Sequence, residues 1–176
     1  MSSDVRIAIS GKSGCGNSTV SELVAKKMGL LLINYTFKSI AAELGLAFGE
    51  VCRRAQDDPS YDYRVDKKQV ELAKAEPCVL GSRLAVWLLE SADLKVYLEA
   101  APATRARRIQ KREGGNFEEI LAKTVERDRN DRARYMRLYE IDIDTYDFVD
   151  LIVDTEDKNP GQIAEIIMSK VRDGSG

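Results

Sequence analysis

The chain has 176 residues, 44% of them hydrophobic and 32% charged, which suffices for one core and a well-hydrated surface. A formal net charge of −2 argues against a protein that coats a nucleic-acid backbone, and no apolar run reaches the length of a membrane span. There is no histidine, which excludes every histidine-based catalytic device, and three cysteines (Cys15, Cys52, Cys78) without metal-ligand spacing speak against a zinc site or a disulfide framework.

The expectation is a cytoplasmic, reduced, monomeric protein forming one domain over residues 1–176, with neither nucleic-acid nor membrane partners. In chain order, residues 5–10 (Val-Arg-Ile-Ala-Ile-Ser) are β-branched and nearly continuously apolar, as a buried parallel strand should be. A glycine-rich turn follows, then a helical pattern on Val20, Leu23, Val24 and Met28, with Gly29 placed to end it. Residues 30–33 read as a second strand. Helical periodicity holds over 36–74, broken at Asp57-Asp58-Pro59. Residues 78–80 and 94–98 read as third and fourth strands. A charged helical stretch over 104–138 is interrupted at Gly114-Gly115-Asn116. Leu151-Ile152-Val153 is a fifth strand, and Ile163, Ile166, Ile167 and Val171 mark the apolar stripe of a last helix. This alternation predicts an α/β fold whose parallel sheet is covered on both faces. Gly174-Ser175-Gly176 reads as a frayed tail.

Gly11-Lys12-Ser13-Gly14-Cys15-Gly16-Asn17-Ser18 lies between the first strand and the first helix, the context a phosphate loop requires. Glycines let the backbone curl until several N–H groups face one anion, and the helix N-terminus adds its positive end. Ser18 occupies the position whose hydroxyl would hold Mg²⁺, with Thr19 beside it. Asn17 stands where the phosphate-loop pattern expects lysine, so that side chain brings donors but no charge. Lys12, inside the same loop, offers a cation in its place, in a direction the sequence does not fix. The competing reading is a strand–helix turn that binds nothing.

Arg105, Arg108 and Arg112 fall within an arc of about 60° on a helix, as a phosphate-binding or simply solvated basic stripe would. Arg127, Asp131 and Arg134 also share a face, where two arginines clamp a phosphate and the aspartate holds one guanidinium. A salt-bridged surface helix is the plainer alternative. A phosphate loop tips the balance, because phosphoryl transfer needs positive charge around the moving group and water kept out.

Residues 11–19, Asn34-Tyr35-Thr36-Phe37-Lys38, Ser82-Arg83-Leu84-Ala85, residues 92–98, 105–114 and 126–134, and Tyr139-Glu140-Ile141-Asp142-Ile143-Asp144 together resemble the short cytidylate kinases of archaea and some bacteria. The resemblance implies a three-layer P-loop kinase fold with a five-stranded parallel sheet. It implies a helical monophosphate-binding region (34–76) and an arginine-rich lid (113–146). ATP and Mg²⁺ are then expected, with CMP or dCMP as acceptor. By position, Arg83 and Lys38 match arginines on the acceptor's phosphate. Arg127, Asp131 and Arg134 match lid residues at CMP and the transferring phosphates. Arg108 and Arg112 match positions at adenine and the ATP phosphates. Asp66 is a candidate reader of the cytosine amine, with a surface charge as the even alternative. Gly81-Ser82 stands where short members carry Glu-Gly, so a carboxylate near Mg²⁺ is missing. Another small-acceptor kinase, and a nucleotide-binding regulator without catalysis, remain the other readings.

Overall fold

In the computed structural model, which describes residues 4–174, five strands form one sheet: β1 (Arg6–Gly11), β2 (Leu31–Ile33), β3 (Cys78–Gly81), β4 (Leu94–Glu99) and β5 (Leu151–Asp154). The order is β2-β3-β1-β4-β5 and every pairing is parallel. All five strands stand where the apolar runs place them. β1 is buried at every position but the first, as its unbroken hydrophobicity requires.

The helices are α1 (Asn17–Met28), α2 (Phe37–Leu44), α3 (Phe48–Asp57), α4 (Ser60–Ala75), α5 (Ala85–Leu88), α6 (Pro102–Glu113), α7 (Phe117–Tyr139) and α8 (Pro160–Gly174). Gly29 ends α1 in the left-handed region (φ 66°), donating its N–H to the Ala25 carbonyl. The 104–138 stretch divides at Gly114 (φ 75°) and Gly115 (φ 102°), after which Asn116 caps α7 through the Glu119 N–H at 3.1 Å.

Three details differ from the expectation. Residues 36–74 form three helices, because Gly45, left-handed at φ 65°, ends α2 in addition to the expected break at Asp57-Asp58-Pro59. α5 is a single turn, too short to show a period. Gly174 belongs to α8, while the rest of the expected frayed tail, 175–176, lies outside the described residues.

One face of the sheet packs Ile7, Ile9, Val96 and Leu98 against Val20, Val24, Ile163 and Ile167 of α1 and α8. The other sets Ala8, Leu80 and Tyr97 against Ala73 of α4 and Val86 of α5. A smaller cluster of Tyr35, Ile40, Ala41 and Val51 joins α2, α3 and α4. The central strand β1 has β3 on one side and β4 on the other, so chain order reverses there. Ligands in open α/β sheets bind outside the strand C-termini at such a point, and the loop of residues 11–16 lies there.

Candidate active site

α1 starts without a cap. Its first flanking residue, Gly16, is left-handed (φ 88°) and offers no side chain to the first-turn N–H groups, and no acidic residue stands in that turn. A Cβ on Gly16 would meet nothing within 4 Å, so the space in front of the helix is open. Orphan N–H donors and a positive dipole end facing a void are what an anion needs. Gly14 is also left-handed (φ 84°), and a Cβ there would come within 2.9 Å of Arg105, so glycine is required twice over. Gly11, Lys12, Ser13, Gly14, Gly16, Asn17, Ser18 and Thr19 line a cleft of about 250 Å³ with Gly81, Ser82, Arg83 and Arg112. Cys15 departs from the expectation of a contact in that cleft. Its N–H is committed to the Lys12 carbonyl (3.1 Å), and its buried thiol, pushed up by desolvation, lies in the core.

Asn17 is held from below. Its Nδ2 donates to the Ser82 carbonyl (3.3 Å) and its Oδ1 accepts from Ser21 Oγ (3.0 Å). Ser21 Oγ occupies the space a Cβ on Gly81 would need, at 2.2 Å, so a carboxylate-bearing residue cannot replace Gly81 without moving α1. Missing lysine and missing carboxylate therefore belong to one neutral, interlocked packing. Ser82 Oγ is buried without a hydrogen-bond partner beside this set.

The basic stripe on α6 splits three ways. Arg105 is 2% exposed and turns inward, with Nη1 and Nη2 donating to Asp128 Oδ1 and Oδ2 (3.0 and 2.6 Å) and Nη1 to the Ser13 carbonyl (3.2 Å). Arg108 donates to the Gly14 carbonyl (3.3 Å) and to Thr155 Oγ1 (2.9 Å), bracing the loop against the end of β5. Arg112 is exposed at the cleft and paired with its neighbour Glu113 (2.6 Å).

Arg83 follows β3 into the same cleft and forms an ion pair with Asp131 of α7. The expectation was that Asp131 holds a flanking arginine of its own helix. It holds Arg83 instead, so the carboxylate ties α7 to the end of β3. Burial, and after it the nearby Arg127, push the Arg83 pKa down. Two guanidinium groups crowded in a partly desolvated place are relieved by an anion between them. Arg134 stands one turn beyond Asp131, paired with Asp62 of α4 and 3.4 Å from the Ala55 carbonyl of α3. Lys38 is not among the cleft residues; its ammonium lies 5.7 Å from the Phe48 ring centroid.

Asp66 is no free surface charge. It accepts from the Tyr139 hydroxyl and borders a groove of about 470 Å³ with Tyr63, Val70, Leu88 and Tyr139. Burial pushes its pKa from 3.8 up to about 6, partly opposed by the Tyr139 hydrogen bond. The native carboxyl thus binds its proton more tightly than the unfolded one. The destabilisation is absent below about pH 4 and develops as pH rises through about 6. Asp66→Asn, with no charge to bury, is expected to be more stable to urea by about 3 kcal/mol at pH 8 and equally stable at pH 4. An identical difference at both pH values would contradict this.

A glycine loop at the central strand's C-terminus, an uncapped helix facing a cleft and arginines arriving from the end of β3 and from α6 define a P-loop kinase, while Arg127 of α7 lines a separate pocket with Ser13, Asn116 and Thr124. Comparison with known proteins narrows the class. Residues 6–157 match the cytidylate kinase-like family, and the chain belongs to that family. It is 45% identical over 171 residues to cytidylate kinase 2 of Borreliella afzelii, covering 95% of this chain and 96% of that protein. It is 36% identical to the cytidylate kinase of Pyrococcus horikoshii, over 94% of this chain and 87% of the other. Among solved structures, shikimate kinase from Bacteroides thetaiotaomicron superposes with a TM-score of 0.66 at 15% identity, covering 96% and 98% of the two chains. Deoxyadenosine kinase from M. mycoides with bound dATP gives 0.56 at 21% identity, covering 96% and 100%, and its form with products bound gives 0.55, covering 96% and 99%.

Proposed function

We propose that this chain transfers the terminal phosphate of ATP to CMP or dCMP, giving ADP and CDP or dCDP. The observation that carries the reading is the cleft shared by the uncapped start of α1 and the Arg83 guanidinium. In this reading the loop N–H groups hold the donor's β-phosphate, with Arg112 above the cleft and Arg108 at the adenine end. Asn17 offers its remaining amide hydrogen, and the backbone of Lys12, Ser13 and Gly14, with Thr19, contributes to the cradle. Arg83, with Arg127, fixes the acceptor phosphate in line, while Arg134 and Lys38 neutralise its outer oxygens. Asp131 releases Arg83 when that phosphate arrives and turns to the acceptor's sugar. Asp66 accepts from the cytosine amine. No general base is needed, because a phosphate monoester is already nucleophilic at pH 7, with its second pKa near ~6.

Mg²⁺ fits the donors present. Ser18 is an exposed hydroxyl on the cleft, and this ion is commonly held by one protein oxygen together with phosphates and water. When bound it would neutralise charge between the β- and γ-phosphates. We place the reaction in the cytoplasm and read the enzyme as a monomer with small-molecule partners only. Sub-regions 34–76 and 113–146 serve as acceptor-binding region and lid in this scheme.

A screen of CMP, dCMP, UMP and AMP with γ-labelled ATP is the direct test. CMP and dCMP are expected to be the fastest acceptors. If they ranked among the poorest, the substrate assignment would fail. ATP binding without transfer to any acceptor would favour the regulator reading, for which the Asn17 amide bonded to Ser82 is the supporting observation.

A further inference from the structure

Lys12 does not fill the place left by the missing lysine. Its ammonium lies 2.6 Å from Asp144 Oδ1, in the segment that follows α7. The other oxygen of Asp144 is 3.4 Å from Arg132 Nη1, and Arg132 grips Asp142 with Nε and Nη2 at 2.7 and 2.6 Å. Asp144 is itself fixed, since its N–H donates to Asp142 Oδ1 at 3.0 Å. Two residues on, the Tyr146 ring stacks on Tyr97 of β4, with centroids 3.7 Å apart and planes 11° from parallel. The segment is therefore clamped to the lid helix at one end and to the sheet at the other. Between these clamps, Asp144 carries the connection to the phosphate loop.

We propose that Lys12, Asp144, Arg132 and Asp142 form a charged strut between phosphate loop and lid helix, making donor and acceptor bind cooperatively. It rests on the reading above, with the donor at the loop and the acceptor under α7. The Lys12 carbonyl accepts the Cys15 N–H inside the loop, so the residue that meets Asp144 also shapes the anion cradle. If α7 swings outward, either Arg132 drags Asp142 and Asp144 away from Lys12, or it gives up both carboxylates, so the swing breaks ion pairs on one side of Asp144 or the other. Conversely, a loop ordered around phosphate presents Lys12 to Asp144 and favours α7 over the acceptor. The linkage is reciprocal, as any coupling between two binding equilibria must be. Lys12 and Asp144 are positioning residues here, not groups that touch the transferring phosphate.

Calorimetry with CMP titrated in the absence and presence of saturating ADP and Mg²⁺ tests the strut. In the wild-type chain, ADP is expected to raise CMP affinity. Lys12→Met and Asp144→Asn should each cut that enhancement by about fivefold, the scale of a half-exposed ionic network. The double variant should lose no more than either single one. CMP affinity measured without ADP should change little. An enhancement unchanged in both single variants, or absent from the wild type, overturns the proposal. So does loss of ADP binding in Lys12→Met with none in Asp144→Asn, which would make Lys12 a direct phosphate ligand. If ADP and CMP both fail to bind the wild-type chain, the functional reading falls and takes the strut with it.

Discussion

Arg83→Ala is expected to lower kcat by at least about 100-fold, the scale of one lost charged donor in a transition state. The side chain sits where β3 ends, beside the open start of α1, and is three-quarters buried against Asp131. Burial, and after it the nearness of Arg127, push its pKa down, so an anion beside it is favoured, and in the proposed reaction the acceptor phosphate takes that place from Asp131. Arg83→Lys keeps the charge but loses the planar fork, and should fall between wild type and alanine. A coupled assay of ADP formation measures all three. Near-normal turnover in the alanine variant would remove Arg83 from the chemistry and leave the acceptor phosphate without its principal ligand.

Arg105→Ala should lower unfolding free energy by about 3–5 kcal/mol, the usual result of leaving one member of a buried ion pair alone. Arg105 is 2% exposed and satisfies both oxygens of Asp128, together with the carbonyls of Ala100 (3.1 Å) and Ser13 (3.2 Å). Removing it strands a carboxylate on α7 and takes support from beneath Gly14. Urea unfolding of Arg105→Ala and of Arg105→Met with Asp128→Leu provides the check. The paired replacement should cost much less, because no charge is left buried. A single alanine variant as stable as wild type would mean that α6 and α7 are held together otherwise.

How much of this was legible in the chain follows from range. The strands and the phosphate loop are local patterns: a β-branched run, four small residues, then a helical period. They stand where the sequence places them. Partner choice is not local. Asp131 has Arg127 and Arg134 within one turn, yet it meets Arg83, 48 positions earlier, because the fold brings the end of β3 under α7. Helical spacing also cannot tell which member of a basic stripe turns inward. The buried neighbour Ala106, small and next to Arg105, was the available hint. Gly81 was legible in principle, since a glycine ending an apolar strand marks a close approach. That the approaching atom is Ser21 Oγ, and that this ties Asn17 to the lost carboxylate, needed three dimensions.

The central claim is that loop and arginines face one continuous polyphosphate. A ligand joining adenosine and cytidine through five phosphates spans both nucleoside sites at once, and its calorimetric titration with Mg²⁺ tests that claim most directly. The structure predicts one site per chain, at least about 100-fold tighter than ATP alone, with the gain abolished in Arg83→Ala. Affinity no better than that of ATP, or a gain that survives in Arg83→Ala, would mean that the two halves of the cleft do not meet.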